Sequence, residues 1–233
     1  QRQMCIRDSS GSIEINGGNL TVQASSAYKT KPAAIGVGNE GEAEIKIRGG
    51  EVTVENTTGN TALGKTSTNG CNLNISGGNV IVKQGAIDAD TLVIAGGSIY
   101  RSDGGEAEIR PTAKNGTGAD AQNVYYARAD VSEIYGKNAA VTDVKGFQGY
   151  QFQNMKTDDK GVLHIYLPAE EGNLLSGTFA GITYQGTKED PIVLSNFQMK
   201  LGQIGTDSAD VEFQGIEKGG TIYYTCLLYT SDA

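Results

Sequence analysis

The chain has 233 residues, a net charge of −8 and an isoelectric point near 4.7, with 33 glycines, four prolines, one histidine and no tryptophan. An acidic chain without a basic stripe is a poor match for a nucleic-acid backbone. No stretch approaches 18 consecutive apolar residues, so no membrane-spanning helix is expected.

Residues 1–8 and 226–233 stand outside every pattern in the chain and resemble translated sequencing adapter. They are set aside from fold reasoning as artefact-like ends. Cys5 and Cys226 go with them. That leaves Cys71, and a lone thiol makes neither a disulfide framework nor a zinc site. It is expected to be a small buried or half-buried residue.

Residues 9–104 are organised by a phrase that recurs four times. It first reads Ile13-x-Ile15-x-Gly17-Gly18-x-Leu20-x-Val22. It returns at Ile45-x-Ile47-x-Gly49-Gly50-x-Val52-x-Val54 and at Leu73-x-Ile75-x-Gly77-Gly78-x-Val80-x-Val82. The last copy is Leu92-x-Ile94-x-Gly96-Gly97-x-Ile99. The twin glycines are 32, 28 and 19 residues apart, a spacing that signals stacked units, each too small to bury its own apolar face. Apolar and polar residues alternate within each phrase, the period of a half-buried strand. Glycine turns the chain sharply between the two strands because it adopts positive φ at little cost. A third apolar segment follows in 33–38, in 61–64 and at Ala86-Ile87.

Stacking these units predicts a short right-handed parallel β-helix of about four coils. Its inward columns are Ile13/Ile45/Leu73/Leu92, Ile15/Ile47/Ile75/Ile94 and Leu20/Val52/Val80/Ile99. Outside, Glu14 lies over Lys46 and Thr21 over Thr53. The column Val22/Val54/Val82 reaches Arg101, where a charge is expected to end the stack. The alternative reading is an antiparallel sandwich of hairpins turned at Gly-Gly. A first rung with no neighbour is expected to promote association.

Composition changes after residue 104. Residues 105–188 are read as a connector and a small all-β, sandwich-like domain. The connector holds one strand-like piece at 106–109. Strands are expected at 124–135, 147–153, 162–167 and 174–184, with a hairpin turn at 158–161 that places Gly161 in the left-handed region. Residues 189–225 are read as the start of a further, truncated β unit, with strands at 192–194, 210–213 and 221–224.

The repeat, with its interspersed Ala-Ile-Gly, resembles the β-helix repeats of large surface proteins of gut-type anaerobic bacteria. The run Thr157-Asp-Asp-Lys-Gly-Val-Leu-His-Ile-Tyr-Leu-Pro168 is similar to a turn and strand in the small β domain that often follows them. The resemblance implies extracellular or cell-surface display, adhesin-like or carbohydrate-binding roles, and no established catalysis. A fold likeness does not by itself name a ligand.

Chemistry-bearing motifs are few. Residues 59–66 spell the phosphate-loop pattern and residues 36–41 the dinucleotide fingerprint. Both patterns need a helix directly afterwards, and both run into strands here. Ala62-Leu63-Gly64 also repeats Ala34-Ile35-Gly36, so the stack already accounts for them. His164, the one histidine, lies in an alternating strand and is expected at a surface or interface. No catalytic residue and no cofactor-binding residue is assigned. Asp88 and Asp90 are the one weak metal candidate, with calcium as the ion, and the competing reading is a solvated turn. The solenoid carries only Tyr28 and Tyr100 as flat rings for sugar stacking. The resulting expectation is a non-catalytic spacer and interaction surface. A carbohydrate-binding module that takes polysaccharide or host glycan, with calcium assisting, is the first alternative. A polysaccharide lyase or glycoside hydrolase of β-helix type is the second.

Overall fold

The computed structural model describes residues 4–6, 10–25, 32–37, 41–57, 60–66, 70–111, 114–116, 123–168, 175–186, 193–194, 198–204 and 209–214. Tyr28, Cys226 and the strand expected at 221–224 lie outside these residues.

The protein is all-β in its main elements, and its first half is a curled parallel sheet. Strands Gly11–Ile15, Ala43–Ile47, the first part of Cys71–Gln84 and the first part of Thr91–Arg101 lie side by side in parallel. Strands Asn19–Ala24 and Glu51–Asn56, with the second parts of those two long strands, form the next face. The two long strands run through both faces, bending at their twin glycines. A second parallel sheet joins Ile35–Val37, Thr61–Lys65 and Ala86–Asp88, with Met4–Ile6 beside Ile35–Val37.

The register is the one the repeat predicts. Ile13 faces Ile45, Ile45 faces Leu73 and Leu73 faces Leu92. Leu20, Val52, Val80 and Ile99 align likewise. The antiparallel hairpin alternative is therefore not what forms. The pleat fixes that register within the parallel stack: a strand slipped by one residue would turn every aliphatic side chain out to water. Ile45, Ile47, Val52 and Val54 are fully buried. Each such side chain contributes roughly 1.5–3 kcal/mol relative to exposure. Outside, Glu14 aligns with Lys46 and Thr21 with Thr53. The ion pairs that form there join Glu14 to Arg48 and Glu44 to Lys46.

Glycine is needed for two separate reasons. The second residue of each corner has φ between 77° and 88°. In the third segment Gly36 faces Gly64, and Gly64 faces Asp88. A Cβ on Gly64 would lie 1.8 Å from the Asp88 carbonyl oxygen. That close approach is the work of the phosphate-loop glycine, and Thr61–Lys65 is a strand where a phosphate loop would have its turn. Buried Asn56 holds the next turn, its amide donating to the Thr61 and Pro32 carbonyls at 2.6 and 2.9 Å.

The parallel pairing does not stop at Arg101. That side chain is half exposed and pairs with Asp103 at 2.6 Å. A turn closed around Asp103 returns the chain, and single bridges then join Ile109 to Ile87 and Asn115 to Val93 in the same parallel sense. The charge leaves the column at the strand end, so it does not have to be buried.

The second half begins with Val124–Asp130, antiparallel to Val162–Pro168 and parallel to Val193–Leu194. A second three-stranded sheet contains Val144–Gly146, Leu175–Phe179 and Ile182–Gly186. Gln198–Ile204 and Ala209–Gln214 form a hairpin. Three expectations change here. The single strand expected at 174–184 is instead Leu175–Phe179 and Ile182–Gly186, antiparallel and turned at Ala180-Gly181, where φ is positive. The strand expected over 124–135 ends at Asp130, and Ser132–Tyr135 is one helical turn. Residues 147–153 are not a strand: Phe147–Gly149 is a 3-10 turn, and the chain then runs against the first half.

Candidate functional site

The two halves meet along the twin-glycine corners. At the fourth-copy corner, Gln151 donates its N–H to the Ala95 carbonyl at 2.8 Å, and Gly97 donates to the Gln151 carbonyl at 3.1 Å. Tyr150 is buried and donates its hydroxyl to the Gly97 carbonyl at 2.6 Å. One corner back, Gly78 donates to the Gln153 carbonyl at 3.4 Å. One further back, the Asn154 amide lies 3.1 Å from where a Cβ on Gly49 would stand. Residues 150–154 are thus a strap laid down successive corners. Absence of a side chain at the first glycine of each corner is what admits it. A Cβ on Gly96 would sit 2.4 Å from the Gln151 carbonyl oxygen, and one on Gly77 would sit 3.1 Å from that of Gln153.

The strap ends before the first corner. Nothing among the described residues lies within 4 Å of a Cβ built on Gly17. There the surface opens into a groove of about 350 Å³. Asn16, Gly17, Gly18 and Asn19 form one side, Glu51 and Asn79 the middle, and Asn154, Met155 and Lys156 the other. Asn79 is buried and accepts the Lys156 N–H through Oδ1 at 3.0 Å, which pins the far wall. Asn154 has φ 58°, a left-handed conformation that asparagine tolerates better than most residues. Buried Met155 lies between the two exposed polar residues of that wall.

Behind the strap, His164 is fully buried. Its Nε2 lies 2.9 Å from Asp158 Oδ2 and its Nδ1 lies 2.7 Å from the Tyr126 hydroxyl. The Asp158 carboxylate only accepts, so Nε2–H is the donor to it, while Nδ1 shares its hydrogen bond with the Tyr126 hydroxyl. Tyr100 stacks on the imidazole with centroids 4.5 Å apart. The His164 backbone N–H donates to Ser98 Oγ at 3.1 Å. Serine, histidine and aspartate therefore meet here without forming a nucleophilic triad: both ring nitrogens are already engaged, and the serine bonds the backbone. His164 is not a surface residue because its strand is covered on both faces, and alternation in sequence does not reveal a second covering layer.

Burial pushes the Asp158 carboxyl up, but the hydrogen bonds from His164 and from the Val162 and Lys160 N–H groups outweigh it and hold it below its ordinary value. A turn does form at 158–161, closed by these contacts with Gly161 at φ 89°, but it is not the hairpin turn expected there, since no strand directly precedes it and Val162–Pro168 pairs with Val124–Asp130. Burial raises the Tyr126 hydroxyl to about 12.

The weak metal candidates are placed differently. Asp88 pairs with Arg110 at 3.2 Å. Asp90 pairs with Lys65 and accepts the Cys71 N–H at 2.7 Å. Each carboxylate thus has its own cation. Among the described residues no group of three or more His, Cys, Asp or Glu side chains is placed to hold a metal. Cys71 is buried, and burial with the nearby Asp90 raises its thiol to about 11. No helix among the described residues is long and apolar enough to cross a membrane.

The strap and the groove were not foreseen from sequence, yet one signal was present. The outward column Thr21/Thr53/Ile81/Tyr100 passes from two threonines to two larger, more apolar side chains toward the covered end. Comparison with known proteins finds no match, either to a family model, to a curated protein or to a solved structure.

Proposed function

We propose that the two parallel sheets form a short right-handed parallel β-helix of about four coils, continued by a small β-sandwich-like unit and by a further β unit that holds Gln198–Ile204 and Ala209–Gln214. Its role is that of a rigid spacer and adhesion or interaction surface in a bacterial extracellular or cell-surface protein, without catalysis. The observation that carries this reading is the in-register stacking of four copies of one phrase, with the second half bonded across their corners. A solenoid with one continuous interior resists bending because every rung is bonded to its neighbours. The engagement of both His164 nitrogens in the buried interface supports the non-catalytic assignment.

Incubation with acidic and neutral polysaccharides, followed by measurement of new reducing ends and unsaturated sugars, tests it. No product is expected, and product release would replace this reading with the β-helix lyase or hydrolase. The corner groove favours a second reading, carbohydrate binding. A glycan array probed with and without calcium separates a bare spacer from one that holds sugar.

A further inference from the structure

We infer that the groove at the Gly17-Gly18 corner is a binding site for a neutral polyhydroxyl ligand, a saccharide end or short oligosaccharide. The inference rests on the second reading above and gives it a location. The groove's volume of about 350 Å³ lies at the small end of the range of ligand pockets, roughly 300–1,000 Å³. Its polar side chains are four asparagines, one glutamate and one lysine. The Asn16, Asn19 and Asn154 amides are exposed, and no hydrogen bond among the described residues engages them. Each amide offers two N–H donors and an acceptor oxygen. A vicinal diol presents the matching set, since every hydroxyl both donates and accepts. One acidic side chain, Glu51, and one basic one, Lys156, line the groove, so its formal charges balance, which disfavours a polyanion.

The wall is built in advance. Asn79 fixes Lys156 through its backbone, and Asn154 is held in a left-handed conformation at the strap's end. Pre-formed polar groups cost less ordering on binding. Gly17 supplies the opening, because any side chain there would project into it. Its φ is not positive and its Cβ position is free, so a larger residue would plug the groove without straining the corner.

The test is calorimetric and NMR titration of the full chain with neutral cello-, xylo- and manno-oligosaccharides and with acidic oligogalacturonate. The variants are Gly17→Leu, Asn154→Ala and Asn19→Ala, with Asn72→Ala, exposed on the neighbouring face, as the control. Thermal melts verify folding of each. The expected result is binding of a neutral oligosaccharide that falls about tenfold or more in the groove variants and is unchanged in the control. Sugar binding that all the groove variants retain would overturn the assignment to this groove while leaving the carbohydrate reading standing. Binding of none of the probes at millimolar concentration would overturn both. Preference for oligogalacturonate would overturn the neutral class of ligand.

Discussion

The first and fourth copies of the repeat share a phrase and differ in their surroundings. In the first, the outward residues Asn19 and Thr21 face water. In the fourth, the aligned Ser98 and Tyr100 are buried under the second half of the chain. Between them Glu51 and Thr53 are half buried, and Asn79 is 2% exposed. The inward columns stay constant while the outward ones grade from wet to dry. A repeat thus preserves the residues that make the next rung stack, and leaves the outer face free to take up a neighbour.

Substitutions at matched positions in the two copies test that contrast. The largest difference is expected between Tyr100→Ala and Thr21→Ala. Loss of the ring stacked on His164 should cost about 3–5 kcal/mol, as for other buried aromatics, while the exposed threonine should change stability by no more than about 0.5 kcal/mol. Urea unfolding reads both. A similar result for the pair would mean that the second half does not cover the fourth copy.

Next are the corners. Gly77→Ala places a Cβ 2.4 Å from the Arg48 carbonyl oxygen and 3.1 Å from that of Gln153, and should cost about 3 kcal/mol. Gly17→Ala meets nothing among the described residues and should melt within a few degrees of the parent. Equal losses would show that the first corner is as closed as the others.

The interface also carries a pH dependence. Because the folded state holds the Asp158 carboxyl below its ordinary value, its contribution is present above the unfolded-state value, about 3.9, and fades as pH falls through the lower folded-state value. Asp158→Asn should therefore flatten the acid limb of stability and leave the pH dependence above neutrality as it was. Melting temperatures between about pH 2 and 9 measure this. An unchanged acid limb would place the carboxylate's partners elsewhere. Smallest of all is Arg48→Ala at the exposed Glu14 pair, where a change of about 1 kcal/mol or less is expected, shrinking further in salt.

Local sequence determined the parallel stack. Alternation chose which side chains point inward, the twin glycines chose the bends, and equivalent positions in successive copies chose the register. Gly36 and Gly64 were legible as part of the repeat, although their pattern also spells fragments of nucleotide motifs. Tertiary structure decided what covers the outside. Residues 147–153 alternate like a strand but spend their hydrogen bonds on corners contributed by residues more than fifty positions earlier. His164 reads as a surface or interface residue, and only Tyr100 and Ser98 closing over it make it the latter. The strap's path, the open Gly17 corner and the groove beside it follow from which rungs the second half reaches. The physical reason is range: pleat and turn preferences act over a few residues, whereas burial of an outer face depends on a partner that local spacing does not encode.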